Sequence, residues 1–235
     1  MAAKKPFTVI AHRGARADGV PENTLAAFAR ALEIGATWIE LDVQWHAGHL
    51  WVLHDLRLER CTDGSGRLAD RSVAELRRLR VRGGDHPIPR LPEVLALIDR
   101  RAKVNIELKT ANGTAAAVAR VLRACLKAGW RADDFLVSSF HHPELRNFRK
   151  LLPKVPVGLV EAGVPLNLAA SATRLGAKAL SMALAFPEAR LVRDAHRRGL
   201  KVYVYTVNAP DDLARMRALG VDGVFTDFPD RALKQ

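Results

Sequence analysis

Glu40 and Asp42 stand two residues apart in the run Trp38-Ile39-Glu40-Leu41-Asp42-Val43. On an extended backbone both carboxylates point to one face while Ile39, Leu41 and Val43 take the other. Such a pair can hold a metal ion. Three more apolar runs end in residues of the same chemical kind: Ala11-His12-Arg13-Gly14, Leu53-His54-Asp55 and Ile106-Glu107-Leu108-Lys109. Glu40, Asp42 and Glu107 make an all-oxygen donor set, which favours one divalent cation, Mg²⁺ or Ca²⁺, over Zn²⁺. Three carboxylates and a phosphodiester carry four negative charges, while a divalent ion, Arg13 and Lys109 carry four positive ones. A phosphodiester therefore completes a neutral site. Arg13 has the planar fork that grips phosphate oxygens. Imidazoles ordinarily titrate near neutrality, so His12 and His54 can divide the acid and base duties of P–O cleavage.

The elements that must position these residues alternate along the chain. Eight strand-like runs cover residues 7–11, 37–43, 104–108, 135–139, 155–160, 179–182, 201–206 and 223–226. Helical patterns fall at 22–34, 92–100, 114–128, 143–151, 165–175, 187–198 and 211–219, with a short tail from Pro229. Prolines near the starts and Gly35, Gly129, Gly176, Gly199 and Gly220 past the ends punctuate them as helix signals should. Eight βα units predict an α/β fold, a (β/α)₈ TIM barrel whose site lies at the C-terminal ends of its strands. The polar residues above fall at those ends. Residues 44–90 break the repetition, with an extra strand expected at Leu50–His54 and a partly helical stretch at 72–80. They are expected to form a small insertion between the second and third barrel strands, over the barrel mouth.

At 235 residues and 49% hydrophobic content, one domain spanning 1–235 can bury a sizeable core. No Ser/Gly/Pro linker divides it, and the first apolar run breaks at His12, too short for a signal peptide or a membrane span. A cytoplasmic protein without stable membrane insertion is expected. Cys61 and Cys125 have no paired spacing and read as inert thiols. The net charge of +12 invites a nucleic-acid partner, but the arginines are spread over most helices, so no nucleic acid is expected. The densest stretch, Arg67 to Arg90, is a candidate anion-attracting surface.

His12-Arg13-Gly14, Pro21-Glu22-Asn23-Thr24, Glu40-Leu41-Asp42-Val43, His54-Asp55, Glu107-Leu108-Lys109, Tyr205-Thr206-Val207-Asn208 and Thr226-Asp227-Phe228-Pro229 together resemble the ordered motifs of the glycerophosphodiester phosphodiesterase family, small cytosolic type. The resemblance implies His12 and His54 as the acid/base pair and Glu40, Asp42 and Glu107 as metal ligands. It also implies hydrolysis of glycerophosphodiesters, the deacylated phospholipid head groups, to an alcohol and glycerol 3-phosphate. Tyr205 stands where the family often has tryptophan, which keeps an aromatic pocket wall and adds a hydroxyl.

Structural alternatives stand beside these roles. Glu22 and Asn23 follow Pro21 where helix-opening residues belong; they are candidates for the substrate pocket or its support, with Glu22 orienting Arg13. Asp55, Asn208 and Asp227 stand where turn or helix caps belong. His141 and His142 point in opposite directions on an extended backbone and do not read as a second metal site. Two other functions fit parts of the pattern. One is a lysophospholipase D or sphingomyelinase D-like enzyme, which an exposed apolar rim on the insertion would favour; the other is a non-catalytic basic module for nucleic acid.

Overall fold

The computed structural model describes residues 7–234; the expectation of no leader rests partly on residues 1–6, which lie outside that range. In chain order the elements are β1 (Thr8–Ala11), α1 (Leu25–Glu33), β2 (Trp38–His46), β3 (His49–Val52), α2 (Val73–Arg78), β4 (Arg80–Val81), β5 (His86–Pro87), α3 (Leu91–Ile98), β6 (Lys103–Leu108), α4 (Thr114–Lys127), β7 (Phe135–Ser139), α5 (His142–Leu151), β8 (Val157–Glu161), α6 (Ala170–Leu175), β9 (Ala179–Ala183), α7 (Ala189–Arg197), β10 (Lys201–Tyr205), α8 (Pro210–Leu219), β11 (Gly223–Thr226) and α9 (Pro229–Leu233). Eight strands run parallel in the order β1, β2, β6, β7, β8, β9, β10, β11, and β11 pairs back onto β1. That closed ring is the expected (β/α)₈ barrel.

Alternation along each strand divides the apolar residues between two cores. Ile39, Leu41 and Val43 of β2 face outward and pack with Phe28 and Ala31 of α1 in the layer between strands and helices. Ile10, Leu136, Ala179, Tyr203 and Phe225 point inward and fill the barrel itself. Closure needs a residue without a side chain at Gly223, where a Cβ would lie 2.2 Å from the Thr8 carbonyl oxygen.

Several boundaries differ from expectation. The helix expected from Glu22 begins at Leu25, because Thr24 is its cap and accepts a bond from the Ala27 N–H at 3.2 Å. The helix expected from Pro165 begins at Ala170, after turns through residues 166–169. β3 ends at Val52, so His54 sits two residues beyond the strand rather than closing it. β2 runs on to His46 and folds back against β3 in register from Val43–Val52 to His46–His49, so the excursion leaves the barrel strand later than residue 44.

The rest of the insertion folds around a small core of its own, formed by Trp51, Leu53, Leu58, Cys61, Leu68, Leu76, Val81 and Ile88. Its arginines hold it together. Arg71 donates to the Ser65 carbonyl, Arg80 to Asp85 and the carbonyls of Arg77, Arg78 and Leu79, Arg82 to the Glu59 carbonyl, and Arg90 to Glu93. Cys61 and Cys125 are both free, and burial pushes the Cys61 thiol up to about 11. No helix among the described residues is long and apolar enough to cross a membrane.

Candidate active site

Parallel pairing of β2 with β6 sets Glu40 beside Asn105 and Asp42 beside Glu107, which gathers three carboxylates at one end of the barrel. One oxygen from each of Glu40, Asp42 and Glu107 lies within 4.8 Å of the others. Glu40 and Asp42 are almost fully buried. Burial, and then the charges of Asp42 and Glu107, drive Glu40 well above the usual carboxylate range; burial and Asp42 raise Glu107 in the same way. Asp42 is pushed up by burial but ends below its ordinary value, because Arg13 and Lys109 face it. A buried all-oxygen cluster whose members repel one another fits a hard divalent cation.

The two cations sit against this cluster. Arg13 adopts a positive φ of 57°, directs its backbone N–H to Glu40 Oε2 at 2.9 Å, and brings Nε within 3.1 Å of Asp42 Oδ2. Lys109 Nζ donates to Glu107 at 2.7 Å and lies 3.7 Å from Asp42. Glu22 anchors three guanidiniums: Arg13 at 2.8 Å, Arg16 at 2.5 Å and Arg60 at 3.0 Å. Burial raises the Glu22 carboxyl, but Arg13, Arg60 and Arg16 together bring it down to about 2. Asn23, also at a positive φ of 57°, donates from Nδ2 to Asp42 Oδ2 at 2.9 Å. Glu22 and Asn23 therefore lie ahead of the helix start and hold Arg13 and Asp42.

Both histidines have a carboxylate behind the ring. His12 Nδ1 meets Asp227 Oδ1 at 2.7 Å, and Asn208 fixes Asp227 by donating to its Oδ2 at 2.9 Å. His54 Nδ1 bonds Asp55, which Arg60 holds in turn. Burial, opposed by Asp42 and aided by Arg13 and Lys109, leaves His54 below its ordinary value. The residues read as caps, Asp55, Asn208 and Asp227, thus form the layer behind the imidazoles. The visible signal was His-Asp adjacency for Asp55; nothing local in sequence joins Asp227 to His12.

A pocket opens between these groups, lined by His12, Arg13, His54 and Glu107 and by Asn105, Ser138, Ser181, Phe140, Tyr205 and Phe225. Asn105, Ser138 and Ser181 carried no signal in sequence beyond strand alternation. Tyr205 packs edge-on to Phe140 and Phe225, but its hydroxyl donates to the Glu161 carbonyl at 2.9 Å, so it lends the wall a ring rather than a polar contact. His141 accepts from the Glu144 N–H at the start of α5, and His142 faces the Val160 carbonyl. Among the described residues only Glu40, Asp42 and Glu107 form a group suited to a metal.

Residues 12–231 match the model of the glycerophosphoryl diester phosphodiesterase family. A glycerophosphodiester phosphodiesterase of Caldanaerobacter subterraneus subsp. tengcongensis is 37% identical over 94% of both chains, and one of Bacillus altitudinis is 35% identical over 96% of both. An Oleispira antarctica phosphodiesterase, solved in complex with the product sn-glycerol-3-phosphate, is 29% identical and superposes with a TM-score of 0.86 over 97% of both chains. Likeness along nearly the whole length accompanies the gathered carboxylates and histidines: the chain belongs to the glycerophosphoryl diester phosphodiesterase family.

Proposed function

We propose that this enzyme hydrolyses glycerophosphodiesters to an alcohol and glycerol 3-phosphate at the mouth of its barrel. The observation that carries this reading is the meeting of an acidic cluster, two cations and two carboxylate-backed histidines on one pocket. Glu40, Asp42 and Glu107 would hold one divalent cation, Mg²⁺ or Ca²⁺, which when bound supplies Lewis-acid charge and a template for the diester. Arg13 and Lys109 neutralise the phosphoryl oxygens as charge builds on them. His12 takes the proton of the attacking hydroxyl, and Asp227 steadies the imidazolium that results. His54 gives a proton to the leaving alkoxide, and Asp55 holds its ring in place.

We read residues 1–235 as one domain and the cytoplasm as its compartment, a reading supported by two free cysteines. A lysophospholipase D is the second reading, favoured by one observation. Phe140, Val164, Leu166 and Phe186 are exposed on the loops after three adjacent strands, and Leu56 of the insertion is exposed too. That apolar rim lies mostly off the insertion. Hydrolysis assays over glycerophosphocholine, glycerophosphoethanolamine and lysophosphatidylcholine separate the two: the first reading expects turnover of the deacylated diesters, and turnover of the lysolipid alone overturns it. The same assay tests the metal. Activity should vanish with chelator and return with Mg²⁺ or Ca²⁺, and Asp42→Asn should behave like the chelated enzyme; full activity after verified metal removal overturns the ligand assignment.

A further inference from the structure

The pocket has a polar floor that the mechanism above does not use. Asn105 on β6, Ser138 on β7 and Ser181 on β9 are each 1% exposed and line it. Two residues earlier on β7 and β9, Leu136 and Ala179 join Ile10 and Tyr203 in the apolar fill of the barrel. Asn105 donates its amide N–H to Ser138 Oγ at 3.0 Å. Its Oδ1 is buried without a partner, and so is Ser181 Oγ. Leaving a buried amide oxygen or hydroxyl unpaired is costly. Apolar residues at both positions would avoid that cost.

An amide oxygen that only accepts and a hydroxyl that can donate match the two halves of an alcohol O–H group. We propose that Asn105 and Ser181 are specificity-determining residues that recognise a free hydroxyl of the glycerol half of the substrate and seat that half inside the barrel. The inference rests on reading the pocket as a glycerophosphodiester site. The opposite orientation fits less well. A cationic head group such as choline has no hydroxyl to offer Asn105 or Ser181. The glycerol diol is neutral and brings both a donor and an acceptor.

The test compares glycerophosphocholine with two analogues, each lacking one glycerol hydroxyl, on the metal-loaded wild type and on Asn105→Ala and Ser181→Ala. The wild type should prefer the intact diol over one of the analogues by about ten-fold or more in kcat/KM. In each variant that ratio should fall toward one. A purely structural role would slow all substrates alike and preserve the ratio, which overturns the proposal, as does a wild-type ratio near one for both analogues. A wild type that cleaves the diol and both analogues equally leaves the proposed function standing and removes only this inference. A wild type that cleaves no glycerophosphodiester removes both. Ser181→Ala deletes a single oxygen, so it carries the test if the melting curve shows that Asn105→Ala does not fold.

Discussion

His12 and His54 have similar surroundings, each with a carboxylate on Nδ1, so their roles must be separated by chemistry rather than by position. His12→Ala and His54→Ala should each lower kcat on a glycerophosphodiester by about 10²–10⁴-fold, with metal affinity and folding retained. A nitrophenyl diester needs little help in losing its leaving group, so His54→Ala should recover substantially on that substrate and His12→Ala should not. The reverse pattern would exchange the two roles, and near wild-type rates in both variants would remove acid/base catalysis by this pair. Glu22 makes a second case at the same scale, this time in stability. Its carboxyl falls from 4.5 to about 2 on folding, a depressed value, so the stabilisation it gives is full above pH 4.5 and disappears as pH drops through about 2. Glu22→Gln should therefore cost about 3 kcal/mol at pH 7 and progressively less between pH 4.5 and 2. Denaturation curves for both proteins with an equal gap at pH 7 and pH 2.5 would contradict the linkage. Sequence offered His12 and His54 by their types but hid Asp227, because the contact spans the closure of the barrel and no local pattern records it.

The connection from β1 to α1 shows how an element fixes a side chain. Arg13 and Asn23 both take positive φ, and Gly14 between them has φ +89° with its backbone pressed on α1, where a Cβ would lie 2.7 Å from the Ala27 carbonyl carbon. Gly14→Ala thus meets both a strained conformation and a backbone that cannot yield. It should displace Arg13 from Glu40 and Asp42, lower kcat/KM by more than about ten-fold and lower the melting temperature. A variant with unchanged kinetics and melting would show that this approach is not required. Legibility varied with the kind of signal. Apolar runs marked all eight barrel strands, since burial on both sides imposes a near-continuous hydrophobic pattern, and glycines past the helix ends marked the breaks between them. Pro165 did not start a helix, because turns intervene before Ala170, and Glu22 read both as a helix opener and as a support for Arg13, because the ion pairs that place it are invisible in local sequence.

Across the whole molecule the same distinction governs what the net charge of +12 does. Tight nucleic-acid binding requires cations that are free to replace condensed counterions along a backbone. Part of the arginine-rich stretch is held inside the insertion: Arg80 and Arg90 pair with Asp85 and Glu93, and Arg71 and Arg82 bond carbonyls, while Arg67, Arg77 and Arg78 are exposed. At the barrel mouth, Arg13, Arg16 and Arg60 converge on Glu22 instead. What remains of the charge acts at long range, raising the local concentration of small anions such as phosphodiesters. Two measurements follow from this division of labour. The second-order rate constant kcat/KM for an anionic diester should fall as salt rises through the range in which the screening length shrinks to about 8 Å, while kcat stays level. Mobility-shift titrations at physiological salt should show no DNA complex at nanomolar protein; a nanomolar complex with a steep salt slope would mean that enough cations are free after all, and that the surface rather than the pocket answers to the charge.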